Sequence, residues 1–130
     1  MLKPVFIILI SLCSLAAYSQ ENAKASECSI LKAGKFLYLD SDDETGYVEI
    51  SGKNHIEKSV KNNYYIESTV EWISECSYIM TMTKITIPNF PFKPGDTMRV
   101  DITKVKGDII YYTSTVKGMS WKGRFKKIGD

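Results

Sequence analysis

Histidine is almost missing from this chain: of 130 residues, only His55 carries an imidazole. A catalytic dyad would rest on that residue and a cysteine, so no enzymatic activity is expected. Cysteine is scarce too, with Cys13, Cys28 and Cys76 the only three. If Cys13 leaves with an N-terminal export signal, the two distant cysteines and a lone histidine that remain cannot supply the four clustered ligands of a structural zinc site, and neither metal nor cofactor is expected. Charge of one sign is not in excess, with 17 Lys and Arg against 15 Asp and Glu. The chain therefore has no global field to gather nucleic acid or anionic lipid, and no nucleic-acid partner is expected. Low-complexity runs, internal repeats and a nucleotide-binding motif are all lacking, which argues against tails, arrays and nucleotide chemistry. Long apolar runs are lacking as well. The best, Val5 to Leu15, falls far short of the roughly 20 residues a membrane-crossing helix needs, and no transmembrane helix is expected.

What that short run does match is an export signal. Lys3 supplies the positive end, Val5 to Leu15 the apolar centre, and Ala17 and Ser19 the small residues before a cleavage point. Residues 1–19 read as a signal peptide and the mature chain as starting near Gln20, in the periplasm or outside the cell. Ile10-Ser11-Leu12-Cys13 offers lipidation at Cys13 as a minor alternative, with Leu12 where such signals hold a small residue. Cleavage leaves Cys28 and Cys76, and two cysteines in an oxidising compartment commonly form one disulfide, with two free buried thiols the alternative. About 110 residues remain, enough for one domain, and a monomer is expected. Residues 20–33 form a polar segment with a helical turn near Cys28 to Lys32, and residues 34–130 a single β domain.

From Gly34 onward apolar and polar residues alternate between closely spaced turn clusters, the pattern of an antiparallel β protein. Eight strands are predicted, at 34–40, 45–51, 54–60, 64–73, 76–87, 97–105, 109–116 and 119–128. A two-residue turn at Lys117-Gly118 sets Val116 opposite Met119, Ser114 opposite Trp121, Tyr112 opposite Gly123 and Ile110 opposite Phe125. Three-residue connections at 106–108, 51–53, 61–63 and 73–75 continue one apolar face through Met98, Val100 and Ile102. The same face takes in Val48, Ile56, Val60, Tyr64, Ile66, Val70, Trp72, Cys76, Tyr78 and Met80. His55 then falls on the outer face, opposite Glu49. A meander with one apolar face relieves its two edges by closing into a barrel, and a flattened β-sandwich is the alternative.

Gly34-Lys35-Phe36 resembles the Gly-x-aromatic start of lipocalin-like and fatty-acid-binding-protein-like (calycin-like) barrels, with phenylalanine in place of the usual tryptophan. That resemblance implies a small closed barrel in which a last-strand cation, here Arg124, packs across Phe36 near Gly34. The arrangement of Cys28, Gly34-Lys35-Phe36 and Val70-Glu71-Trp72-Ile73-Ser74-Glu75-Cys76-Ser77-Tyr78 also resembles small uncharacterised secreted proteins of gram-negative bacteria. Some of those bear a label taken from DNA topoisomerase IV, which an exported chain of this length without a nucleotide-binding motif does not support.

The remaining motifs read as scaffold. Asp40-Ser41-Asp42-Asp43-Glu44 is dense in oxygen ligands, but an EF-hand counted from Asp40 would place Thr45 and Ser51 where glycine and glutamate belong. A solvated hairpin loop fits better. Lys122, Arg124 and Lys126 alternate with Trp121 and Phe125, which strand alternation explains without a single-stranded nucleic acid. Residues 88–96 form the one long connection and hold three of the four prolines, with Phe90 and Phe92 placed to cover a barrel mouth, dock a partner or cap the core. Two functions follow. In one, a small apolar molecule sits among Phe36, Tyr38, Trp72, Met80 and Tyr112. In the other, a filled β scaffold binds an envelope protein. A cavity of roughly 300 Å³ or more separates them.

Overall fold

The computed structural model describes residues 23–130. The residues read as a signal peptide, Cys13 among them, and the expected start of a mature chain near Gln20 lie outside the described residues. A helical turn, α1 (Ala25–Cys28), runs into a 3-10 turn (Ser29–Leu31). The strands follow: β1 (Gly34–Tyr38), β2 (Gly46–Ser51), β3 (Asn54–Ser59), β4 (Tyr64–Ser74), β5 (Ser77–Ile85), β6 (Thr97–Lys106), β7 (Ile109–Val116) and β8 (Met119–Gly129). Each pairs antiparallel with the next, and β8 pairs back onto β1, so the eight strands form a closed up-and-down barrel rather than a sandwich. Closure leaves no unpaired edge. Exposed Glu49, Glu67, Glu71, Arg99 and Lys122 lie on the outer face, the reverse of the apolar band a lipid-facing barrel needs. Among the described residues no helix is long and apolar enough to cross a membrane.

The up-and-down order gives the barrel two unlike ends. Turns at Gly52-Lys53, Glu75-Cys76 and Gly107-Asp108 share one end with α1, and residues 39–45, 60–63 and 86–96 loop over the other. The α1 end is sealed. Cys28, Leu31 and Phe36 are fully buried there, and Cys28 is bonded to Cys76, with the Cα atoms 5.2 Å apart. Closing that loop contributes about 4 kcal/mol in the chain-entropy picture. Gly34, at φ +134°, lies where β8 closes on β1: a Cβ there would meet the Gly129 carbonyl at 2.5 Å and Lys127 Cε at 2.9 Å. The first strand can begin there only with glycine.

The last hairpin has the expected register, from Val116 opposite Met119 to Ile110 opposite Phe125. Between β6 and β7 the turn is shorter than expected, with Lys106 opposite Ile109, but an irregularity between Ile102 and Lys104 restores Ile102 to Tyr112 and Val100 to Ser114. The carbonyl of Thr103, the extra residue, accepts the Ala23 backbone N–H at 3.0 Å. Between β4 and β5, Trp72 faces Tyr78 rather than Cys76, a shift of two residues that keeps each side chain on its face.

Strand β3 departs from expectation. Gly52 and Lys53 form a two-residue turn with Gly52 at φ +60°, so Ile50 faces His55 and Val48 faces Glu57. One residue fewer reverses every side chain of the strand. His55 is 2% exposed inside the barrel, not opposite Glu49 on its surface. Ile56 takes the place opposite Glu49, and Val60 is 67% exposed in the loop. The next connection is one residue longer than expected, pairing Ser59 with Tyr64, and so returns β4 to its expected phase.

Candidate functional site

A cavity of about 420 Å³ runs from the loop end into the barrel. Tyr38, Tyr64, Tyr78, Tyr112, Trp121 and Phe125 line much of it, with Met80, Met98 and Val100 between them. Tyr112 stacks on Phe125 at 4.3 Å between ring centroids. Its ring lies across Gly123, its cross-strand partner, where an added Cβ would overlap the phenol. Glycine at that position is what lets the tyrosine lie flat against β8.

The alternation that lines this wall with aromatics also delivers a carboxylate. Glu57 is half-buried in the cavity lining, and the Tyr38 hydroxyl donates to its Oε1. Among the described residues no Lys, Arg or His forms an ion pair with it. Loss of water around the carboxyl raises its pKa from 4.5 to about 7. Burial likewise pushes the phenols of Tyr78 and Tyr112 up, with the Glu57 charge adding to both, so both stay protonated.

Two residues along the same face of β3, His55 also borders the cavity. Burial lowers its pKa to about 4, so the imidazole is neutral at neutral pH. Among the described residues its Nδ1 has no hydrogen-bond partner, nor has Oγ of Ser68, the residue opposite it on β4. Buried polar atoms without partners are costly. Glu57, His55 and Ser68 thus form a polar patch on two adjacent strands, and Ser114 on β7 is a further buried polar residue. Alternation had placed His55 outside and passed over Glu57. The signal that would have found both is Ser51-Gly52-Lys53-Asn54 read as a two-residue hairpin with glycine first.

Of the residues expected to line a ligand site, Tyr38, Met80 and Tyr112 border the cavity. Phe36 and Trp72 instead pack in the core beyond it. Phe36 is fully buried 6.1 Å from Phe125, and Trp72 lies 4.8 Å from Tyr78 and beneath the Lys32 ammonium. The cation over Phe36 is Lys127, not Arg124, with Nζ 5.8 Å from the ring and bonded to the Ile30 carbonyl at 3.2 Å. Period two explains the exchange: Lys127 shares the inward phase of Phe125, and Arg124 does not. Arg124 faces Asp40 with Nη2 2.8 Å from Oδ1, a contact that lowers the Asp40 pKa.

The acidic run 40–44 is a braced loop. Asp43 accepts the Thr45 backbone N–H at 2.9 Å and the hydroxyls of Thr45 and Ser59, which hold its pKa down. Phe90 and Phe92 of the proline loop meet edge to face at 5.6 Å and both border the cavity, which places them at its mouth. Among the described residues no group of three or more His, Cys, Asp or Glu side chains is arranged to hold a metal ion. Set against protein-family models, curated proteins and solved structures, the chain matches none of them.

Proposed function

We propose that the chain is exported and that its barrel carries or senses a small, largely apolar molecule. The observation that supports this most strongly is the cavity: about 420 Å³ of space bordered by aromatics and methionines, within the range typical of ligand pockets. A scaffold filled by its own side chains would leave no such space. The paired Cys28 and Cys76 agree with an oxidising compartment. The Phe90-Phe92 edge at the mouth gives an apolar ligand a covered entrance. This reading assigns the barrel no catalytic step.

Native mass spectrometry of the protein purified from its own host tests the proposal. A co-purifying mass of a few hundred daltons, lost on mild activation, is expected. Bare protein, together with no thermal shift across a panel of lipid-like and aromatic compounds, refutes it.

A further inference from the structure

The carrier reading leaves one thing in the cavity unexplained: a carboxylate placed among aromatic rings and, among the described residues, paired with no cation. We infer that the cavity takes an organic amine, with the ammonium group seated on Glu57 and the apolar body lying among Tyr38, Tyr78, Tyr112 and Phe125. This inference rests on the carrier reading and narrows it to one class of ligand.

The polar groups around the cavity favour a donor over an acceptor. Glu57 supplies the acceptor on the inner wall that carries charge, whereas the hydroxyls of Tyr78, Tyr112 and Ser114 and the neutral His55 imidazole, which also border the cavity, can donate or accept. An ammonium group is donor only and carries the charge that Glu57 lacks a partner for. Ring faces attract the same cation through their quadrupoles, and Tyr38 and Tyr112 both lie within reach of the Glu57 charge. A ligand carboxylate has no such complement. The charged side chains bordering the cavity are Asp43, Glu57 and Lys58, and Lys58 is exposed, pointing away from the inner face that Glu57 occupies. Placing a second carboxylate beside Glu57 would set like charges together in a site poor in water. The rise in the Glu57 pKa agrees with this, because a carboxyl that already had its cation would not be raised by burial alone.

Isothermal titration of the full mature chain with octylamine, octanol and octanoate at about pH 8, where Glu57 is ionised, tests the inference. Octylamine is expected to bind about tenfold or more tightly than octanol, with octanoate weakest. Glu57→Gln keeps the Tyr38 hydrogen bond and should abolish the preference for octylamine over octanol. Equal affinities for amine and alcohol in both proteins, or octanoate binding tightest, overturn the amine assignment and leave the carrier standing. Failure of all three probes to bind the folded protein overturns the carrier reading, and the amine with it.

Discussion

Two ionisable groups on one face of β3 hold their pKa values apart in opposite directions, and this makes a prediction about stability against pH. Burial raises Glu57 from 4.5 to about 7 and lowers His55 from 6.5 to about 4. For Glu57 the folded state keeps its proton longer than the unfolded chain, so stability is full below about pH 4.5 and falls as pH rises towards 7. For His55 the folded state refuses a proton that the unfolded chain accepts, so stability is full above about pH 6.5 and falls on acidification towards 4. At 1.36 kcal/mol for each pH unit between the two states, each effect amounts to about 3 kcal/mol over its window. Between roughly pH 4.5 and 6.5 the slopes are opposite and nearly equal, so the two costs add to a nearly constant total and the wild type shows little pH dependence from them. Replacing either residue with glutamine uncovers the other. Glu57→Gln should gain about 3 kcal/mol relative to wild type between pH 4.5 and 7.5, whereas His55→Gln should gain about as much between pH 6.5 and 4. Urea denaturation followed by tryptophan fluorescence at half-unit pH steps measures both. Differences from wild type cancel the carboxylates Asp40, Asp43 and Asp96, whose surroundings are the same in all three proteins. Parallel profiles for wild type and Glu57→Gln would refute the burial of the carboxyl.

Other substitutions test the packing. Phe36→Ala should cost about 3 to 5 kcal/mol as a cavity in the sealed end, while Lys122→Ala on the wet face should change stability by less than about 0.5 kcal/mol. Chemical denaturation of the pair checks both, and similar small losses would refute the assignment of inside and outside on β1 and β8. Gly123→Ala should lift Tyr112 from the wall, with an overpacking cost of about 1 to 3 kcal/mol. It should also weaken uptake of octanol, which calorimetry on the folded variant reads.

The closed barrel was legible in the sequence because errors of turn length are filtered by a side-chain period of two. Reading residues 106–108 as the turn added one residue to the loop and missed one at Thr103, and the two offset each other before Ile102. At Trp72 the pairing moved by two residues, which leaves the face unchanged. The connections on either side of β3 also offset each other, one shorter and one longer, so β4 came out in phase while β3 alone was inverted. That inversion mattered because the hydrophobic pattern of β3 is weak: Ile56 is its single strong apolar residue, and placing it inside put His55 and Glu57 outside. The site was hidden because the strand that carries its polar groups violates the pattern used to find strands. Arg124 failed for a related reason, since the resemblance specifies a cation over Phe36 but not which phase of β8 supplies it.

A barrel that buries a carboxyl at a cost of about 3 kcal/mol near neutral pH must hold its fold by other means, and the Cys28–Cys76 bond contributes about 4 kcal/mol. The two act independently, because Cys76 lies in the turn at the sealed end and shares no hydrogen bond with Glu57. Their effects should therefore add. The double variant Cys28→Ser, Cys76→Ser should lose about 4 kcal/mol at any pH between 4.5 and 7.5. Adding Glu57→Gln should return most of that loss, about 3 kcal/mol, at pH 7.5 and almost none at pH 4.5, where Glu57 is protonated in both states. Denaturation midpoints of the triple and double variants at the two pH values decide the matter. Recovery of the same size at both would mean that glutamine helps by packing, and that ionisation of Glu57 is not what strains the barrel.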